Sequence, residues 1–244
     1  MRYSHLWFPH VGRKQLGAAV LCGFALVLLL VCTRRSEPPP EEPDDLCAIF
    51  TEKPSWCQST QEAHARWGVS EAIQLAIIFQ ESGFVAGARP PRRPILWIIP
   101  GRRPSSAYGY AQVVDTTWEE YRARTHRPRA RRDDFDDVAH FVAWYLAEIH
   151  HLVGISKDDP FNLYLAYHEG PTGYRDRRWQ DKKWLHQAAS DVARRARTYQ
   201  TQYDACRDSL PRPPSLWIRL MAGGLLLAVT AAVLVILIRR WLHR

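Results

Sequence analysis

Residues 70–84 read Ser-Glu-Ala-Ile-Gln-Leu-Ala-Ile-Ile-Phe-Gln-Glu-Ser-Gly-Phe. Ser70 is suited to cap a helix, and the positions after it are apolar almost all round: Ala72, Ile73, Leu75, Ala76, Ile77, Ile78 and Phe79. A surface helix carries one apolar stripe; a helix apolar on every side has to lie inside other elements. The stretch therefore predicts a central, buried helix. It ends on Glu81, where a carboxyl is poorly explained as a solubilising group. Desolvation disfavours its charged form and the negative end of the helix dipole acts in the same direction, so its pKa is expected to rise toward that of a proton donor near neutrality. Two plainer readings stand beside this one: a polar residue reaching water, or a carboxylate paired with an arginine.

Outward from this helix the pattern stays helical. Asp115 can cap a helix carrying Trp118 and Tyr121. Val138, Phe141, Val142, Tyr145, Leu146 and Ile149 recur at helical spacing, with Gly154 as a stop. Asp159-Pro160 opens a short helix through Tyr167, and Leu185, Ala188, Val192, Ala196, Tyr199 and Tyr203 form a final stripe. The expected fold class is a mainly α domain over residues 47–206. Linkers rich in proline flank it at 33–46, which is also acidic, and at 207–215. Cys47, Cys57 and Cys206 are an odd set that allows at most one disulfide. Joining Cys47 to Cys206 would clamp the ends of the domain, and Cys57 is the competing partner. No Cys-x-x-Cys or His-x-x-x-His spacing occurs, so no metal site is expected.

The charge is uneven. The net +8 comes from 33 basic and 25 acidic residues. All the acids fall between residues 33 and 215, whereas Arg2, Arg13, Lys14, Arg219, Arg239, Arg240 and Arg244 lie outside. The middle is nearly neutral, which argues against nucleic acid as a partner. The ends read as membrane anchors: residues 16–32 and 220–238 are free of charge, and a crossing helix needs roughly 17–25 apolar residues. The expected layout is a cytoplasmic N-terminus at 1–15, spans at 16–32 and 216–238, and a cytoplasmic tail at 239–244. By the positive-inside tendency the middle then faces the far side of an inner membrane. A cleaved signal or a lipid anchor at Cys32 are the alternatives for the first run, although no small-x-small cleavage site ends it and Val31 stands where a lipid-anchor motif has a small residue.

Two further segments bear on chemistry. Ala107-Tyr108-Gly109-Tyr110-Ala111-Gln112 is a glycine-punctuated loop ahead of a helix, where a backbone can approach a ligand; an ordinary turn is the plainer reading. Ala166-Tyr167-His168-Glu169-Gly170-Pro171 ends a helix in a Gly-Pro break, which equally suits a cap with a core tyrosine. In order and spacing, Glu81-Ser82-x-Phe84, Gly109-Tyr110-Ala111-Gln112 and Ala166-Tyr167-His168-Glu169-Gly170 resemble the successive motifs of the soluble lytic transglycosylases. These are lysozyme-like enzymes, related to goose-type lysozyme, that cleave the glycan of bacterial peptidoglycan. The usual strings are Glu-Ser-x-Phe, Gly-Leu-Met-Gln and Ala-Tyr-Asn-x-Gly.

The resemblance implies a lysozyme-like fold, peptidoglycan strands as the partner and no cofactor. Glu81 would be the single acid/base, and Ser82 would orient it or the substrate. Gly109, Tyr110, Gln112, His168 and Gly170 would border the sugar sites, while Tyr167 would hold the carboxyl of Glu81. Tyr110, Ala111 and His168 depart from the usual residues and alter the cleft's walls. The implied reaction closes a 1,6-anhydro ring on the muramic sugar without water, with one carboxyl serving as acid and then base. A hydrolytic muramidase on the same fold, expected if Glu169 or Asp115 faces Glu81, and a non-catalytic wall-binding module of an envelope assembly are the alternatives. The proline- and arginine-rich segment 85–106 fits a cleft-lining flap, an interfacial loop or a small hairpin packed on the core. The arginine run 122–132 fits a solvated basic face.

Overall fold

The computed structural model describes residues 37–210 apart from 93, 96–98 and 101–102, with the backbone alone at 94–95 and 99–100. By its contacts the chain divides after Glu37, and the described helices all belong to the second unit, which begins at Pro38. They run in the order α1 (Leu46–Glu52), α2 (Pro54–Trp67), α3 (Glu71–Ser82), α4 (Asp115–Arg124), α5 (Phe135–Val153), α6 (Pro160–Arg175) and α7 (Lys183–Cys206). Between α3 and α4, β1 (Pro94–Ile95) pairs antiparallel with β2 (Ile99–Pro100), so the two ends of the apolar run in segment 85–106 lie side by side.

Helix α3 is central. Every residue from Glu71 to Ile78 is buried, and the helix packs on α7, α5 and α2. Burying each large aliphatic side chain contributes roughly 1.5–3 kcal/mol. The two polar residues caught inside are matched: Gln74 donates to the carbonyls of Thr60 (3.1 Å) and Val69 (2.8 Å), and Glu71 meets His64 (2.9 Å) and Tyr203 (3.3 Å). Ser70 accepts from the amide of Ile73, and Asp159 from that of Asn162, each starting its helix as its sequence suggests. Asp115 does not cap α4. Its carboxylate pairs with Arg132 at 2.7 Å, while Ser106 Oγ accepts from the Asp115 amide.

The core is rich in rings. Trp56 of α2 stacks on Phe135 at 3.8 Å between centroids, and Phe84 and Tyr110 lie against the same indole at 5.5 and 5.8 Å. A disulfide joins Cys47 of α1 to Cys206 at the end of α7, across 159 residues of chain. Cys57 stays a buried free thiol whose pKa burial pushes up to about 11, which keeps it protonated and unreactive.

The expected flanking by two transmembrane helices needs correction. Among the described residues no helix is long and apolar enough to cross a membrane. A crossing helix needs about 20 predominantly apolar residues. Helix α5, with 19 residues, carries Asp136, Asp137 and Glu148 and is wrapped by protein. Helix α7, with 24, carries Lys183, Asp191, Arg194, Arg195, Arg197 and Asp204. The runs 16–32 and 216–238 that prompted the expectation lie outside the described residues. The fold class is therefore a mainly α, lysozyme-like domain. A membrane partner reached through two spans, and a place in an inner membrane with the domain facing the periplasm, are withdrawn with it.

Candidate active site

The end of α3 is shaped by two successive left-handed residues, Gly83 (φ 58°) and Phe84 (φ 64°). Glycine adopts this conformation freely, but a phenylalanine does so at a cost of roughly 1–3 kcal/mol. Full burial of the Phe84 ring against Trp56 and Phe79 offsets that cost. The reversal stops the helix one residue past Ser82 and leaves Glu81 at its last turn, on the wall of a cleft.

That cleft has a volume of about 610 Å³. It is bounded by α3 through Glu81, by the loop before α4 through Gln112 and Val113, by α5 through Phe141 and Tyr145, and by α6 through Tyr167, His168, Glu169 and Gly170. Pro90 and Ser105, from segment 85–106, border it as well. The Glu81 residue is half-buried, but its Oε1 has no solvent contact and no hydrogen-bond partner. An ionised carboxylate would be costly there, and binding a proton relieves the cost. Burial accordingly raises the Glu81 pKa to about 7, against an opposing pull from the neighbouring Tyr164 hydroxyl. Burial together with the neighbouring Glu81 also drives the Tyr164 pKa well up, so this tyrosine stays a neutral donor.

Tyr164 was not singled out by sequence reasoning. The available signal was its spacing: three residues before Tyr167, it shares the same face of α6, and the two rings stack at 6.4 Å. Tyr167, expected to hold Glu81, instead donates its hydroxyl to the carbonyl of Ala111 at 2.8 Å and meets the ring of Tyr145 edge-on at 5.5 Å. It thereby ties α6 to the loop before α4 across the cleft. Gln112 takes a left-handed backbone (φ 46°), and its Nε2 donates to the carbonyls of Ala88 (3.0 Å) and Gly109 (2.8 Å). With both N–H groups engaged, Gln112 offers a ligand the carbonyl oxygen of its amide.

Of the residues that the sequence nominated, Glu81, Gln112, Tyr167, His168 and Gly170 share the cleft, whereas Ser82, Gly109 and Tyr110 do not line it. The Ser82 hydroxyl donates back to the Ile78 carbonyl at 3.2 Å. Tyr110 is 1% exposed and Ala111 fully buried, so these departures from the usual motif alter the core behind the cleft rather than its wall. Gly109 (φ 83°) is required by packing, since a Cβ there would come within 1.9 Å of the Arg132 carbonyl oxygen.

Two other carboxylates bear on the chemistry. Asp115 is outside the cleft lining and is bound to Arg132. Glu169 borders the cleft, but its Oε1 is held by Lys182 Nζ at 2.6 Å and by His168 Nδ1 at 3.1 Å. Burial would raise the Glu169 pKa, yet these two partners outweigh it and hold the group below the ordinary range. Away from the cleft, Glu62, Asp136 and His140 bring ligand-type atoms within 4.8 Å of one another. Burial and the Arg127 and Arg66 guanidiniums lower the His140 pKa to about 4. Arg127 also stands 3.7 Å from Asp136, so positive charge is already supplied to that cluster by the chain itself.

One neutral-poised acid thus stands in an aromatic-walled groove, built on the segments that carry the motif order. No curated protein matches the chain. The family model for the transglycosylase SLT domain matches residues 20–206, all of the described helices included, and the chain belongs to that family of glycan-cleaving lytic transglycosylases.

Proposed function

We propose that the chain cuts the β-1,4 bond between N-acetylmuramic acid and N-acetylglucosamine in peptidoglycan, leaving 1,6-anhydro-muramic ends, with Glu81 as the only acid/base. The observation that carries this reading is the Glu81 carboxyl itself, desolvated at Oε1 and raised to about 7, on the wall of a cleft of about 610 Å³. In the first step Glu81 gives its proton to the glycosidic oxygen as the bond from muramic C1 breaks, with the muramic N-acetyl carbonyl assisting from the opposite face. The resulting carboxylate then removes the proton of the same sugar's 6-hydroxyl, whose oxygen bonds to C1. Glu81 ends protonated and no water is consumed. Gln112, Tyr167, His168 and Gly170 border the strand. Ser82, Gly109 and Tyr110 support it from behind, through the end of α3 and the loop before α4.

Hydrolysis is the second reading, because Glu169 also borders the cleft and a second carboxylate could activate water. Its engagement by Lys182 and His168 weighs against that use. Mass analysis of the fragments released from purified sacculi decides between the two. Transglycosylation gives muropeptides one water lighter than hydrolysis does, and a water-retaining product would overturn the proposal.

The first step needs the protonated acid, present below its pKa, so fragment release should fall as pH rises through about 7. Tyr164 holds that pKa down. Tyr164→Phe should therefore move the alkaline limb of the profile to higher pH, an effect that a purely structural loss would not produce. An unmoved limb with reduced rate would show Tyr164 to be packing alone.

A further inference from the structure

Helix α6 kinks at Gly170 and Pro171, and beyond its end the chain returns through α7, whose opening turn comes back to His168 and Glu169. Trp184 in that turn is 57% exposed, a large apolar surface to leave in water. Its indole meets the His168 ring at 4.9 Å between centroids and 78° between planes. A ring has two faces, and an edge-to-face contact covers at most one, so at least one face of the indole is left uncovered by His168. His168 borders the cleft, so Trp184 stands one ring away from the cleft lining.

The pair is braced from behind. His168 Nδ1 lies 3.1 Å from Glu169 Oε1, and Lys182 Nζ reaches the same oxygen at 2.6 Å. The residue beside His168 is thus tied to the start of the helix that carries Trp184. Glu169 is 6% exposed at its side chain, so water competes weakly for this tie. A braced, half-open indole one ring away from the cleft lining suits a ligand with one flat apolar face and polar edges. A pyranose ring is such a ligand: its axial C–H groups stack on an aromatic face while its hydroxyl and N-acetyl groups stay in water. A lone indole is far below the roughly 800 Å² per partner of a stable protein interface, but it matches the footprint of one sugar.

We propose that Trp184, with His168, is an outer subsite that stacks one further N-acetylhexosamine ring of the glycan strand, beyond the sugars held against Glu81. This rests on the glycan-cleaving reading of the cleft and adds a dependence on strand length. Longer strands reach the platform and shorter ones do not, so wild-type affinity rises with strand length and the rise disappears without the indole.

The test uses the full chain carrying Glu81→Gln, titrated calorimetrically with uncross-linked glycan tetrasaccharide and octasaccharide. Adding Trp184→Ala should weaken octasaccharide binding about tenfold and erase its advantage over the tetrasaccharide, while Trp184→Phe restores most of that advantage. An advantage that persists in Trp184→Ala, or equal losses at both lengths, overturns the subsite. Fragment release by Glu81→Gln in the same samples bears on the acid/base assignment instead. The strand-length comparison reads Trp184 whichever group moves the proton.

Discussion

Fragment release by Glu81→Gln falls by about 10²–10⁴-fold relative to the wild type, the range that removal of a general acid/base produces. The substitution keeps the shape of the side chain and its place at the last turn of α3, so the loss is chemical. Stability supplies the control. The folded pKa of about 7 exceeds the ordinary 4.5, so the protonated carboxyl contributes stability that is fully present below about 4.5 and is lost as pH rises through 7. Glutamine carries no charge to desolvate. Relative to the wild type, Glu81→Gln should therefore gain in Tm at pH 8 compared with pH 5. A variant that folds and binds strands yet releases fragments at the wild-type rate would remove Glu81 from the chemistry.

Replacing both Cys47 and Cys206 with serine lowers folding stability by about 3–5 kcal/mol, read as a fall in the urea midpoint with a steeper slope, because the unbridged unfolded chain is less compact. The bridge closes 159 residues of chain, and in the chain-entropy account the stabilisation grows with the logarithm of that length. Both cysteines are replaced because a lone Cys47 would leave a new thiol beside α7. Cys57 stays as it is, since burial keeps it protonated. A midpoint matching that of the oxidised protein would mean that the packing of α1 on α7 holds the ends together without the bridge.

The central helix, its cap and its closing acid were legible because they rest on local rules: an all-round apolar segment, a serine before it, a glycine after it. Tertiary effects were not legible in the same way. Nothing near Gly109 in the chain announces that the Arg132 carbonyl will press on it, so its glycine reads equally well as a ligand contact. Tyr110 and Tyr167 differ only in which partner the fold brings to them. Tyr110 turns into the Trp56–Phe135 stack, while Tyr167 spans the cleft to Ala111. Tyr164 was overlooked because a tyrosine in a helical stripe is usually core, and its hydroxyl gains a role only through the carboxyl packed opposite. Charged clusters behaved likewise: Asp136 and His140 stand four apart on one face of α5, but only the fold brings Glu62 of α2 to them.

The bridged cysteines lie 6.2 Å apart at their α-carbons, so the chain enters and leaves the helical domain at nearly one point. A pull applied between the two flanking segments would pass through a single covalent link and hardly load the helices. Tension entering at Cys47 would leave at Cys206 through that link, and the cleft between α3 and α6 would keep its width.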